Sequence, residues 1–274
     1  GFDSSVINGA VDALSSHFEM GSFLSGFVVS IALLGCAVGA WYAGRLADSW
    51  GRRNVMLLGA AMFIISSLGS GLAFSVVDLL VWRVIGGLGI GIASVIAPAY
   101  ISEVAPAKGR GALGSLQQLA ITIGQLVVLS SNKSLAGAAG GSSQDLWLNI
   151  PAWRWMFLVG VLPALVYGIL ALSIPESPRF LVLRGRFDQA ASVLKRVSGE
   201  PDPEAKVQQI RQTLDKEHKS TFNDIRGNRF GLQPLVWVGI IIAAFQQLVG
   251  INAIFYYSTT LWKSVGFSES DSFT

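Results

Sequence analysis

Charged residues are scarce in this sequence. Only 14% of its 274 residues are Asp, Glu, Lys or Arg, whereas 51% are hydrophobic, and the mean hydropathy is +0.53. Because a soluble domain usually carries about 25% charged residues, the composition indicates a membrane protein. The net charge of +3 does not indicate nucleic-acid binding, since the basic residues cluster in a few loops.

Cysteine and histidine are also scarce. Cys36 is the only cysteine and lies in an apolar run, so we expect a packing residue and no disulfide framework. His17 and His218 lie in polar stretches. The sequence shows no metal-ligand cluster, nucleophile elbow or phosphate-binding loop, so we expect no enzyme activity, no metal and no cofactor.

Long apolar runs are abundant instead. A membrane-spanning helix needs about 20 apolar residues. The runs occupy residues 24–43, 55–77, 79–101, 111–131, 155–174 and 234–257. Residues 1–16 are more weakly apolar, and we interpret them as a truncated first span because the chain opens on Gly1 rather than Met. The sequence therefore predicts seven membrane helices and a polar loop over residues 132–151.

Basic residues lie mainly on alternate loops. Arginine and lysine collect in residues 44–53, 102–110 and 176–230, whereas the intervening loops contain only Lys133, Arg154 and Lys263. The positive-inside rule then predicts that loops 44–53, 102–110 and 176–230 are cytoplasmic.

The change in composition predicts three regions. Residues 1–175 form a transmembrane bundle, residues 176–230 form a charged intracellular helical domain, and residues 231–274 begin a second bundle with the seventh span. Two inverted three-helix repeats would suit the first bundle, since transporters use such repeats; helix count alone supports this.

Arg83 and Asp3 are the ionisable residues inside spans that most need partners. A charge in hydrocarbon is costly unless it faces an aqueous cavity or an opposite charge. A carboxylate beside an arginine is stabilised, and proton binding would release the arginine, which provides a coupling device. A static structural pair, or an Arg83 that snorkels to the membrane surface, are the alternatives. Gly87 and Gly91 follow as a small-xxx-small pair that allows another helix to approach closely.

Uncharged amides form a second polar group inside the spans. Gln118 and Gln125 share one face of the fifth helix, and Gln246, Gln247 and Asn252 lie on the seventh. Amides donate and accept hydrogen bonds without charge, as a neutral polyhydroxylated ligand requires. Aromatic residues that could cover the faces of a sugar ring are Phe23, Phe255 and Tyr256. Hydrogen bonding between helices is the alternative role of these amides.

Acidic residues accompany the basic ones in the predicted cytoplasmic loops. Positive-inside topology explains the arginines but not Asp48, Glu103 and Glu176. Groups of opposite charge at helix ends can pair with one another and with helix termini. We therefore expect a charge network at the cytoplasmic surface.

Several motifs resemble those of a known family. GRLADSWGRR, residues 44–53, resembles the loop signature of the major facilitator superfamily. GFDSSVINGA, RVIGGLGIGIASVIAPAYISEVAPAKGRG, PESPRFL and QQLVGINAIFYYS resemble its sugar porter family, in the right order along essentially the whole chain. The similarity is greatest to bacterial hexose or pentose/proton symporters. It implies an all-α major facilitator fold, in which this chain is the N-terminal portion of a twelve-span protein, through helix seven.

The resemblance also assigns roles to residues. Asp3 matches the protonatable carboxylate of the symporters, and Arg83 matches its arginine partner. The amides Gln118, Gln125, Gln246, Gln247 and Asn252 match sugar contacts. The remaining matches, to the family's cytoplasmic charge network, are Asp48, Arg52, Glu103, Arg110, Glu176 and Arg179.

These implications predict a monomeric transporter of the cell inner membrane. It takes up glucose or a related monosaccharide by alternating access, driven by a proton gradient, with sugar, protons and the lipid bilayer as partners. The alternatives are a facilitative uniporter, which typically has a neutral residue at the position of Asp3, and a sugar sensor without transport. A seven-helix receptor or retinal protein is disfavoured, because span 234–257 lacks a lysine for a Schiff base.

Overall fold

The described part of the chain is largely helical. The structure, a computed structural model, describes residues 1–106, 109–216, 227 and 231–272. The helices are α1 Phe2–Ser5, α2 Ile7–His17, α3 Ser22–Trp50, α4 Arg52–Gly71, α5 Val76–Val104, α6 Arg110–Ala139, α7 Ala152–Val159, α8 Val161–Ser173, α9 Pro178–Leu183, α10 Phe187–Val197, α11 Pro203–Lys216, α12 Pro234–Leu248, α13 Ile251–Ser264 and α14 Glu269–Ser272.

Six helical stretches in the described part of the chain are long and apolar enough to cross a membrane. These stretches are α3, α4, α5, α6, the α7–α8 pair and the α12–α13 pair. The predicted first span corresponds to α1 and α2, which together are shorter than a full crossing. The chain is therefore an all-α, multi-pass membrane protein, as its composition predicts.

The loops are shorter than predicted at three places. Helix α3 continues through the charged residues of the predicted loop 44–53, so the turn into α4 is Gly51 alone, with φ of +93°. Helix α5 likewise runs into the predicted loop 102–110, and α6 runs to Ala139 inside the predicted loop 132–151. Hydropathy detects the apolar part of a helix but not its polar extension beyond the hydrocarbon, which explains all three errors.

Three of the crossings are each divided into two helices. At Val6, between α1 and α2, and at Gly160, between α7 and α8, the backbone keeps right-handed helical dihedrals. The seventh is interrupted at Val249 and Gly250, where Gly250 adopts φ of +78°, a conformation that favours glycine. Discontinuous helices near the membrane interior are a recurring device of transporter binding sites.

Glycines bring α3 and α5 into close contact. A methyl group added to Gly87 would collide with the Ala32 carbonyl, and one added to Gly91 would collide with the Cys36 carbonyl. The predicted small-xxx-small pair is thus confirmed. From the other side, Gly39 has no room for a side chain against Leu88. The two backbones touch without intervening side chains.

The intracellular segment contains α9, α10 and α11, which pack on one another through a small apolar cluster that includes Leu181 and Leu194. The break between α10 and α11 contains Pro201, and Pro203 is the first residue of α11. Most of residues 217–230 lies outside the described residues. The division of the chain at residues 175 and 230 stays a prediction.

Candidate functional site

Asp3 and Arg83 lie close enough for their charges to interact. Asp3 is on α1, and Arg83 is on α5 with only 4% of its surface exposed. The two side chains form no direct ion pair among the described residues, and the buried Nε of Arg83 has no hydrogen-bond partner. Tyr256 of α13 interacts electrostatically with both. The first crossing (α1 and α2), the fourth (α5) and the seventh (α12 and α13) therefore meet around one carboxylate.

Polar contacts join the first crossing to the seventh beyond this point. The Asn8 amide is buried; its Nδ2 donates to Ser258 Oγ at 2.7 Å, and its Oδ1 accepts from Thr259 Oγ1 at 2.9 Å. One turn further along, Asp12 accepts from Lys263 Nζ at 3.1 Å. The two helices are consequently held together at the end away from the basic loops.

The predicted sugar-contacting amides lie on two separate helices. On α6, which is continuous, Gln118 is exposed and Gln125 is half-buried. Their face of α6 contacts the first crossing, because Ile121, between them, touches Gly1. Among the described residues, no hydrogen bond joins these glutamines to those of the seventh crossing.

The amides of the seventh crossing flank its break. Gln247 and Gln246 are exposed near the end of α12, a helix without buried residues, and Asn252 is half-buried near the start of α13. The Asn252 Nδ2 donates to Gln247 Oε1 at 2.6 Å. The break therefore presents two linked amides.

The predicted aromatic contacts lie apart. Tyr256 is half-buried in the Asp3 and Arg83 cluster. Phe23, by contrast, is 86% exposed at the start of α3, where it stacks on Phe27. The structure thus brings Tyr256, but not Phe23, to the polar centre of the chain.

The charge network centres on Arg52. Its guanidinium donates to Glu103 Oε1 at 3.0 Å through Nη2 and to Glu103 Oε2 at 3.1 Å through Nε. Its Nη1 donates to Asp48 Oδ1 at 2.9 Å. Arg179 Nε lies 4.0 Å from Glu103 Oε1. The network links the cytoplasmic ends of α3, α4 and α5 to α9.

Glu176 plays a different part in the same region. Its Oε1 accepts from the backbone N–H of Arg52 at 2.9 Å, and its Oε2 accepts from that of Arg53 at 3.2 Å. These N–H groups open α4, so the carboxylate caps the positive end of that helix. Five of the six predicted network residues are thereby brought together. The side chain of the sixth, Arg110, lies outside the described residues.

Sequence reasoning missed several participants. Asn8 and Asp12 carry polar side chains on a weakly apolar helix, and the partners Thr259 and Lys263 are more than two hundred residues away. Glu269 also accepts from the N–H of Ser142 at 3.0 Å. A polar residue such as Asn8 within a predicted span indicates that a partner is needed. The identity of that partner follows only from the three-dimensional arrangement.

The chain matches the sugar (and other) transporter family over residues 1–274. The chain therefore belongs to that family, within the major facilitator superfamily. The family consists of transporters and not enzymes.

Individual relatives agree with this assignment. The chain is 54% identical to the glucose transport protein of Synechocystis, over 99% of this chain and 58% of the relative. It is 36% identical to the D-xylose-proton symporter of Escherichia coli, over 98% of this chain and 58% of the relative. The chain therefore spans a little over half the length of these relatives.

Solved structures show the same fold. The proton:xylose symporter XylE bound to 6-bromo-6-deoxy-D-glucose superposes with a TM-score of 0.84 at 35% identity, covering 99% of this chain and 61% of that one. A partially occluded inward-open conformation of XylE from E. coli gives a TM-score of 0.83 at 33% identity, covering 99% and 65%. The major facilitator fold predicted from the sequence is confirmed.

Proposed function

We propose that this chain is the N-terminal part of a twelve-span transporter that takes up glucose or a related monosaccharide together with protons. The observation that carries the proposal is Asp3, a carboxylate inside a membrane bundle that interacts with the buried Arg83 and with Tyr256. The names of the relatives, a glucose transport protein and a proton symporter for xylose, agree with it.

The arrangement suggests how a proton is coupled to movement. Arginine stays charged, so Asp3 is the titrating member of the pair. In its ionised form Asp3 attracts Arg83; in its protonated form it releases α5. A proton gradient thereby biases the motion between bundles that alternating access requires, and no cofactor is needed.

The sugar would bind where the two bundles face each other. Gln247 and Asn252 flank the break in the seventh crossing, and Gln118 and Gln125 lie on the helix beside the first. Neutral amides suit a neutral polyol because they donate and accept without charge. We further propose that the transporter is a monomer of the cell inner membrane.

The test is sugar accumulation by the complete transporter in proteoliposomes. An inwardly directed proton gradient should drive radiolabelled glucose above its external concentration, and a protonophore should abolish the accumulation. Equilibration without accumulation would favour the facilitative uniporter. Binding without any flux would favour the sugar sensor.

A further inference from the structure

Three serines lie buried in the interior of α4. Ser66, Ser67 and Ser70 are 3%, 4% and 1% exposed in a helix that crosses the membrane. A buried hydroxyl is unfavourable unless it finds a hydrogen-bond partner. The surroundings of Ser66 and Ser67 differ in a way that separates their roles.

Ser66 lies beside the Asp3 carboxylate. A methyl group placed on Gly86 of α5 would collide with Ser66 Oγ and would lie 3.2 Å from Asp3 Oδ2. The two oxygens therefore approach the same glycine of α5. Ser67 faces elsewhere, because its Oγ lies 2.8 Å from the position of a methyl group on Gly160.

The hydrogen of the Ser66 hydroxyl is already used. Its Oγ donates to the Trp82 carbonyl of α5 at 2.8 Å. A hydroxyl has one hydrogen and two lone pairs, so only lone pairs remain for Asp3. Lone pairs repel an ionised carboxylate but accept a hydrogen bond from a protonated carboxyl. A Ser66 hydroxyl held in this orientation would favour the proton-loaded form of Asp3.

We propose that Ser66 is a positioning residue of the proton site, which stabilises protonated Asp3 by accepting its hydrogen bond. The proposal rests on the proton-coupling role proposed for Asp3. A proton from external water forms an O–H bond on the carboxylate, and no other covalent bond changes. The other titratable or charged groups around Asp3 are Arg83 from α5 and Tyr256 from α13.

The experiment compares Ser66→Ala with Ser67→Ala in the complete transporter. The readout is the pH midpoint of proton-driven sugar uptake, with sugar-for-sugar exchange as the check on folding. Ser66→Ala removes one hydrogen bond from the protonated form. The midpoint should therefore move toward acid by about 0.5–1 pH unit, which is about 3- to 10-fold weaker proton binding. Ser67→Ala, equally buried on the same helix, should leave it in place.

The remaining outcomes are separable. An unchanged midpoint in Ser66→Ala, or a shift toward alkaline pH, would overturn the proposal; the alkaline shift would mean that Ser66 donates to the ionised carboxylate. If the alanine variant does not fold, Ser66→Cys provides a nearly isosteric side chain with a weak acceptor, and it should shift the midpoint toward acid. Asp3→Asn tests the proton site itself: accumulation that survives this change would refute the coupling role, whatever Ser66 does.

Discussion

Gln247 and Asn252 are hydrogen-bonded to each other across the break in the seventh crossing, with the Asn252 Nδ2 at 2.6 Å from the Gln247 Oε1. Gly250, between them, supplies the left-handed turn that brings the two amides together. Each amide keeps unused donor and acceptor capacity. The break is therefore a preformed polar edge, and we propose that it receives sugar hydroxyls.

Gln247→Ala in the complete transporter should weaken sugar binding by about 1–3 kcal/mol, because the Asn252 amide and the sugar hydroxyls lose a partner. Isothermal titration in detergent measures the affinity. Gln209→Ala, on an exposed intracellular helix, is the control and should bind normally. Unchanged affinity in Gln247→Ala would assign this residue to packing rather than binding.

Asp3→Asn should abolish sugar accumulation under a proton gradient while sugar binding and some sugar-for-sugar exchange persist. Asparagine has nearly the shape and charge of protonated aspartic acid but cannot release a proton. The paired measurement is uptake with an imposed pH gradient and exchange without one. Asp145→Asn, at an exposed position, should accumulate sugar normally. Accumulation by the Asp3 variant would favour the uniporter.

Residues 1–274 alone should give no saturable sugar flux after reconstitution. Alternating access requires two bundles that move about a central site, and we propose that α12, which has no buried residues, begins the second. Radiotracer flux into proteoliposomes measures this, with empty liposomes as the baseline. Saturable flux would show that the twelve-span proposal is wrong.

Glu103→Gln should lower the free energy of unfolding by about 1.5–3 kcal/mol, the range for hydrogen bonds to charged groups. Glu103 receives two donors from Arg52, whose side chain is only 8% exposed. Asp48→Asn is the matched control. Its side chain is 63% exposed, and exposed ion pairs contribute about 0–1 kcal/mol. Thermal unfolding in detergent should rank the two variants; equal effects would contradict the central role of Glu103.

Gly39→Ala and Gly44→Ala should change stability in opposite directions. Both glycines lie inside α3, but a methyl group at Gly39 collides with the Leu88 carbonyl, whereas nothing lies within 4 Å of one at Gly44. Gly44→Ala should stabilise the helix by up to about 1 kcal/mol, the difference in helix propensity. Gly39→Ala should lower the melting temperature. A melting temperature raised by both changes would show that the α3–α5 contact is not tight.

Much of this architecture could be predicted from local sequence. Apolar runs identify the crossings, and the spacing of Gly87 and Gly91 predicts the close helix contact. The acidic residues Glu103 and Glu176 stand out in basic loops, which predicts a network. These features can be predicted because each follows from residue type and short-range spacing.

Other features depend on the whole fold. Helix α3 continues to Trp50. Its last turns are polar, and hydropathy does not predict a helix there. The Asn8 amide meets Thr259 only because the first and seventh crossings are neighbours in space. The orientation of the Ser66 hydroxyl depends on the Trp82 carbonyl of another helix. In the last two cases the hydrogen-bond partner lies on another helix, so local sequence does not predict it.

The side-chain-free contact between α3 and α5 has a mechanical consequence. Where backbones touch directly, as at Gly39 and Gly87, no rotamer can change to absorb a displacement. The two helices are then expected to move together, so that a displacement of α3 at these glycines is passed on to α5.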